Sequence, residues 1–296
     1  MARGCGAIAH CLRTLRRTCY HDRSVHVLTG AHRVHSARTM ARTLTASPHA
    51  LADARTLGAA LGRASSAGGM PSATSAGARD RSGSLHDAAY ERLRQALMDG
   101  QFAPGQAFTI RALAAVFGTS PMPVRDALKR LVAERALEMR PNRSVVLPRM
   151  TRARFQEILQ VRLSLESMVA ARAATRIAPA AIEAMAADHV AMCEALKSSG
   201  SAAQYLGANR RFHFRLYEAA GTVVMQPVIE SMWMQIGPHL SRIFSTRAHA
   251  TVNADHHHND LLRALRRQDA QAAAKAVWND LSDAADAILA GNHFEE

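Results

Sequence analysis

The chain has 296 residues, 48% of them apolar and 5% aromatic, with 37 Lys and Arg against 24 Asp and Glu for a formal charge of +13. That length suits two domains and a sizeable core, and no window approaches the ~18 consecutive apolar residues of a membrane-spanning helix. Cysteines at positions 5, 11, 19 and 193 form neither a disulfide framework nor paired zinc spacings, so a reducing cytoplasm is the simplest compartment. Abundant Ala and Leu predict a mainly α protein, and the positive excess points to a polyanion such as nucleic acid.

The charge is unevenly spread. Residues 1–83 hold twelve Arg, no Lys and three Asp, residues 84–150 carry a net +4, and residues 151–296 are neutral. The first stretch ends in a Ser/Gly/Ala-rich run from Ala64 to Gly83 and has no sustained apolar period. It reads as a disordered Arg-rich extension or as a start placed too far upstream, with Met70 as a later candidate.

From Leu85 the pattern becomes helical, with Leu85, Ala89, Leu93, Ala96 and Leu97 in period and Asp99-Gly100 closing the segment. Pro104-Gly105 marks a turn, and Ile110 to Phe117 predicts a short helix ended by Gly118. Ser120 suits an N-cap and Pro121 a first helical turn, so a second helix is expected from Pro121 to about Glu134. Leu137 to Arg140 and Ser144 to Leu147, joined at Pro141-Asn142-Arg143, predict a two-stranded wing.

Gly100, Pro104, Gly105, Ser120, Pro123, Val124, Arg125, Ala127 and Leu128 fall in register with the G-x-x-x-P-G turn and S-x-x-P-V-R-E-A-L helix of the GntR-family regulators. Residues 84–149 thus resemble their winged helix-turn-helix, with Asp126 in place of Glu and with Pro121 where many relatives carry a base-reading Arg. The resemblance implies a DNA-binding face of Arg111, Ser120, Met122 and Arg125, with Arg140, Asn142 and Arg143 on the wing reaching phosphates or the minor groove.

Residues 150–296 predict an all-α bundle with helices near 151–175, 179–198, 202–219, 224–247, 255–267 and 270–290. Polar groups stand on apolar stripes: Arg162 beside Phe155, Leu159 and Val169; Asn209 and His213 beside Leu206, Leu216 and Tyr217; His258 beside Leu261 and Leu265; Asp280 beside Val277 and Ile288. Buried together, such groups need partners. An Arg162–Glu166 pair at i, i+4 is one alternative for the arginine.

These residues resemble the FCD effector domain of the FadR-type subfamily in its six-helix form. Arg162 and Glu166 fit its R-x-x-x-E, Asn209 to His213 its D-x-x-F-H, and His258, Ala264, Leu265 and Asp269 its third signature, while Asp280 replaces a last His. In metal-binding members these positions hold a divalent ion, which here implies Asn209, His213, His258 and Asp280 as an N/O set for Zn, Ni or Mn. Without metal, Arg162, Asn209, His213 and His258 would bind the ligand directly, Arg162 engaging a carboxylate.

The expected function is a ligand-responsive regulator that binds double-stranded operator DNA as a homodimer, a repressor released by a small organic acid. A metal-dependent enzyme built on the His/Asp cluster and a basic RNA- or nucleoid-binding protein are the rival readings.

Overall fold

A computed structural model describes residues 57, 58, 61, 78–141, 144–197, 202–245, 254–291, 294 and 295. The chain divides into two units, Met1–Thr45 and Ala46–Glu296, and all the described residues lie in the second. Asn142 and Arg143, at the tip of the expected wing, fall outside them.

The head begins with α1 (Ala78–Met98), followed by β1 (Ala107–Phe108), α2 (Ile110–Phe117), α3 (Pro121–Ala133), β2 (Glu138–Met139) and β3 (Val145–Val146). Helix α1 starts ahead of the expected Leu85. Leu57 and Leu61, inside the stretch expected to be disordered, are instead buried in the hydrophobic core at helical spacing. The Thr109 hydroxyl accepts the Ala112 amide at 3.2 Å to start α2, and Gly118, at φ 63°, ends it in the left-handed conformation. The wing is one strand wider than expected. Strand β3 pairs with β2 (Met139 opposite Val145) and also with β1 (Phe108 opposite Val145), in the order β1-β3-β2. A two-residue β1 leaves too short an alternation to show in sequence.

The second half is helical: α4 (Arg152–Ala174), α5 (Pro179–Lys197), α6 (Ala202–Ala220), α7 (Met225–Ser245), α8 (Ala254–Arg266) and α9 (Ala270–Ala290). Each lies within about two residues of its expected span. Thr151 caps α4 through the Arg154 amide at 3.2 Å, and Asp269 caps α9 through the Ala272 amide at 2.9 Å. Asp269, one of the signature positions, thus has a local structural role.

Head and bundle are joined mainly along α7 and the N-terminal part of α6. The Ser231 hydroxyl donates to the Glu134 carbonyl at the end of α3 (2.8 Å), and Glu230 pairs with Arg94 of α1. Arg210 of α6 donates to the buried Asp99 carboxylate at 2.7 Å. At the crossing, a Cβ on Gly237 would collide with the Leu97 and Met98 carbonyl oxygens, and one on Gly100 would stand 2.6 Å from the Gly237 carbonyl oxygen. Backbone meets backbone there because two glycines allow it.

The far end of α9 returns to the linker between the halves. The Glu295 amide donates to the Met150 carbonyl (3.1 Å), and its carboxylate lies 3.5 Å from Arg149. Phe294 packs on Phe155 and against the Arg152 guanidinium, 5.0 Å from its ring centre.

Candidate functional site

Two regions gather the residues singled out in the sequence. On the head, Arg111 in the first turn of α2 and Ser120, Met122 and Arg125 at the entry to α3 are all exposed, and Met122, an apolar side chain, is 53% exposed. Ser120 occupies the cap position with extended backbone, yet its side chain makes no capping bond. Pro123, the third helical residue, has no N–H to offer a cap, so the Met122 amide is the one cap donor open to the Ser120 hydroxyl. One Arg125 amino group lies 3.8 Å from the Met122 sulfur. Arg140 is half-buried at the start of the wing turn, where its amide donates to the Ser144 carbonyl at 2.9 Å.

The second region is a cavity of about 40 Å³ inside the bundle, walled by α4, α6, α7 and α9. Arg162, Asn209, His213 and Asp280 all line it. His213 from α6, His258 from α8 and Asp280 from α9 converge, their nearest ligand atoms all within 4.8 Å of one another. His213 Nε2 lies 3.3 Å from one Asp280 oxygen and His258 Nε2 lies 3.4 Å from the other, and all three residues are buried. Neither imidazole nitrogen has a hydrogen bond of acceptable geometry among the described residues, although each faces a carboxylate. Two nitrogens flanking one carboxylate without bonding it suit a cation between them better than a direct contact. The residues therefore fit a divalent metal. Asn209 also lines the cavity wall.

Burial drives the His258 imidazole down to about 3, despite the neighbouring Asp280 charge that works to raise it. Burial would raise Asp280, but His258 and His213 together hold it at about 2. At neutral pH the carboxylate is charged and the His258 ring is neutral with a lone pair to offer, the states a metal ligand needs. His256 and His257 are drawn elsewhere, to Asp260 at 3.6 Å and to Asp283 at 2.7 Å, so His258 alone of the three joins the cluster.

Arg162 is buried on the cavity wall with its guanidinium held by Glu166, at 2.6 Å through Nε and 3.3 Å through one amino group. The Tyr217 hydroxyl also donates to Glu166, and it lies 3.4 Å from His213 Nδ1. Arg162 stacks 4.9 Å from the Trp233 ring centre, and Trp233 lies 5.4 Å from the His213 ring. The intrahelical pair and the pocket position thus hold at once. Trp233 and Tyr205 were not singled out in the sequence. Nothing distinguished them from ordinary core aromatics.

The profile of the FCD domain matches residues 157–283, and that of the bacterial regulatory proteins of the gntR family matches residues 85–147. The chain belongs to the GntR family of transcriptional regulators and carries an FCD effector domain. The regulator is 28% identical over 179 residues to the HTH-type transcriptional regulator McbR of Escherichia coli, spanning 60% of this chain and 80% of that one. It is also 28% identical over 135 residues, 45% of this chain and 79% of the other, to an uncharacterised HTH-type regulator of Agrobacterium vitis. Its fold superposes on the solved E. coli McbR with a TM-score of 0.66 at 24% identity, covering 70% of this chain and 97% of that one. A GntR regulator structure from Rhodococcus follows at 0.57 and 21%, covering 70% and 99%. The family and these relatives are regulators, which overturns the reading of the His/Asp cluster as an enzyme active site. Among the described residues of the regulator, no helix is long and apolar enough to cross a membrane.

Proposed function

We propose that this regulator is a cytoplasmic, homodimeric repressor that leaves its operator when a small organic acid enters the FCD cavity beside a bound divalent ion. The observation that carries this reading is a set of buried nitrogens lacking hydrogen-bond partners among the described residues, His213 Nε2 and Trp233 Nε1 on the cavity wall and His258 Nε2 on the other Asp280 oxygen, beside that charged carboxylate. Buried polar atoms left unpaired in the ligand-free protein are best explained by an occupant that satisfies them.

His213, His258 and Asp280 would hold the ion, Zn, Ni or Mn, with Asn209 as the fourth donor. Such an ion, with an open coordination position, supplies a Lewis-acidic seat for a carboxylate oxygen. The charges agree with that ligand. Arg162 and Glu166 cancel, leaving the Asp280 charge, and a divalent cation reverses the balance so that one more anion is neutralised.

On DNA, Arg111 and Arg125 would contact base edges or phosphate, with Ser120 and Met122 at the same helix entry and Arg140, Asn142 and Arg143 on the wing. The exposure of Arg111, Ser120, Met122 and Arg125 supports this for the helix residues. Arg125→Ala should weaken operator binding by roughly 5- to 150-fold in a gel shift at fixed salt while leaving non-specific binding nearly unchanged. An unaltered operator affinity removes Arg125 from the interface. Arg162→Ala should keep operator binding and abolish release by the acid; retained release excludes its role in ligand capture.

A further inference from the structure

The cavity has two chemically different halves, and together they select among acids. Resting on the proposed carboxylate reading above, we infer that the effector is a short monocarboxylate with an apolar tail, its tail lying along α4 and α9 towards Phe155 and Ile288.

Charge is confined to one level of the cavity. Asp280 Oδ2 lies 3.3 Å from His213, and the Arg162 guanidinium stacks on the Trp233 ring beside that histidine. From this level α4 and α9 run antiparallel, since Arg152 near the start of α4 donates to the Leu289 carbonyl near the end of α9. The lining residues met along α4 are Leu159 and Phe155, reaching roughly 10 Å from Arg162 at 1.5 Å per residue. Those along α9 are Leu281, Ala284 and Ile288, reaching roughly 12 Å from Asp280. Arg162 and Asp280 are the only Arg, Lys, Asp or Glu among the described lining residues, and both sit at the polar level.

A second carboxylate on the ligand would therefore meet no cation among the described lining residues, only aliphatic and aromatic side chains and the Tyr205 hydroxyl, which is strongly unfavourable. A methyl or methylene there gains from leaving water. The size is bounded as well. A cavity of about 40 Å³ holds about three water-sized groups, the carboxylate included, so a tail of roughly two to three carbons fills it.

The test is calorimetric titration of the full chain, with and without Zn, using acetate, propionate, butyrate, valerate, hexanoate, octanoate and succinate. The expected result is a Kd that tightens about three- to fourfold with each methylene until roughly three to four carbons and then weakens, with succinate at least tenfold weaker than butyrate. Ile288→Phe, which adds volume at the lining position of α9 furthest from Asp280, should shift the optimum to a shorter acid. Equal affinity for acetate and butyrate, or succinate binding as tightly as butyrate, overturns the apolar-tail assignment while leaving the carboxylate reading in place. Binding by none of the acids, in protein that still binds operator DNA, overturns both.

Discussion

The densest chemistry sits in single residues that the sequence marks as misplaced. Arg162, His213, His258 and Asp280 each interrupt an apolar helical stripe, and all four are buried. The i, i+4 spacing already offered the Arg162–Glu166 pair; what periodicity could not reveal is that Glu166, 0% exposed, also takes the Tyr217 hydroxyl from α6, a matter of rotamers and neighbouring helices. Glu166→Ala should cost about 3–5 kcal/mol in chemical denaturation, because Arg162 is then left buried without its counter-charge. A loss under 1 kcal/mol would mean that Arg162 reaches solvent or another acid. The depressed His258 imidazole gives a pH dependence of definite sign. Between pH 6.5 and 3 the unfolded ring takes up a proton that the folded ring refuses, so this group makes metal-free protein lose stability on acidification. Its contribution approaches about 1.4 kcal/mol per pH unit once well below 6.5. Denaturation of wild type and His258→Gln at pH 7 and pH 5 checks it, since the variant should show the smaller loss.

At the level of elements, helix spans in both halves were readable because caps and breakers stand at their ends: Thr109 and Gly118 around α2, Thr151 before α4, Asp269 before α9, Gly221 at φ 60° after α6. The third strand and the burial of Leu57 and Leu61 were not, since two-residue strands and isolated leucine pairs lack a period to detect. Helix α7 has the most consequential placement. Trp233, Ile236 and Leu240 line the cavity, while Glu230, Ser231 and Gly237 of the same helix touch the head. A single helix, interrupted by Pro238, therefore has the pocket on one side and the DNA-binding unit on the other, which is a physical requirement for coupling the two. Gly237→Ala should force α1 off α7 and change operator affinity or its response to ligand by tenfold or more, as read by gel shift. Gly118→Ala serves as the comparison. Its left-handed backbone costs about 1–2 kcal/mol, but nothing lies within 4 Å of the added carbon, so DNA affinity should hold.

Across the whole molecule, composition pointed to nucleic acid through a charge that lies mostly outside the DNA-binding head. Residues 84–150 carry only +4, and the resemblance to the family rested on the order of glycines, prolines and one arginine instead. Starting the chain at Met70 should therefore preserve sequence-specific binding and flatten the salt dependence of non-specific binding. It should also lower stability by about 2–5 kcal/mol, since Leu57 and Leu61 leave the head core. Thermal melting with paired salt titrations separates the two effects. The contacts of Phe294 and Glu295 with Met150, Arg149 and Arg152 add a constraint in time. A nascent chain can fold its head as soon as β3 has emerged, but the linker behind that head stays unfastened until every helix of the effector domain has left the ribosome. The linker is thus fastened last in synthesis, and a product terminated after Gly291 would lack the Phe294 and Glu295 contacts while keeping those of α6 and α7 with the head.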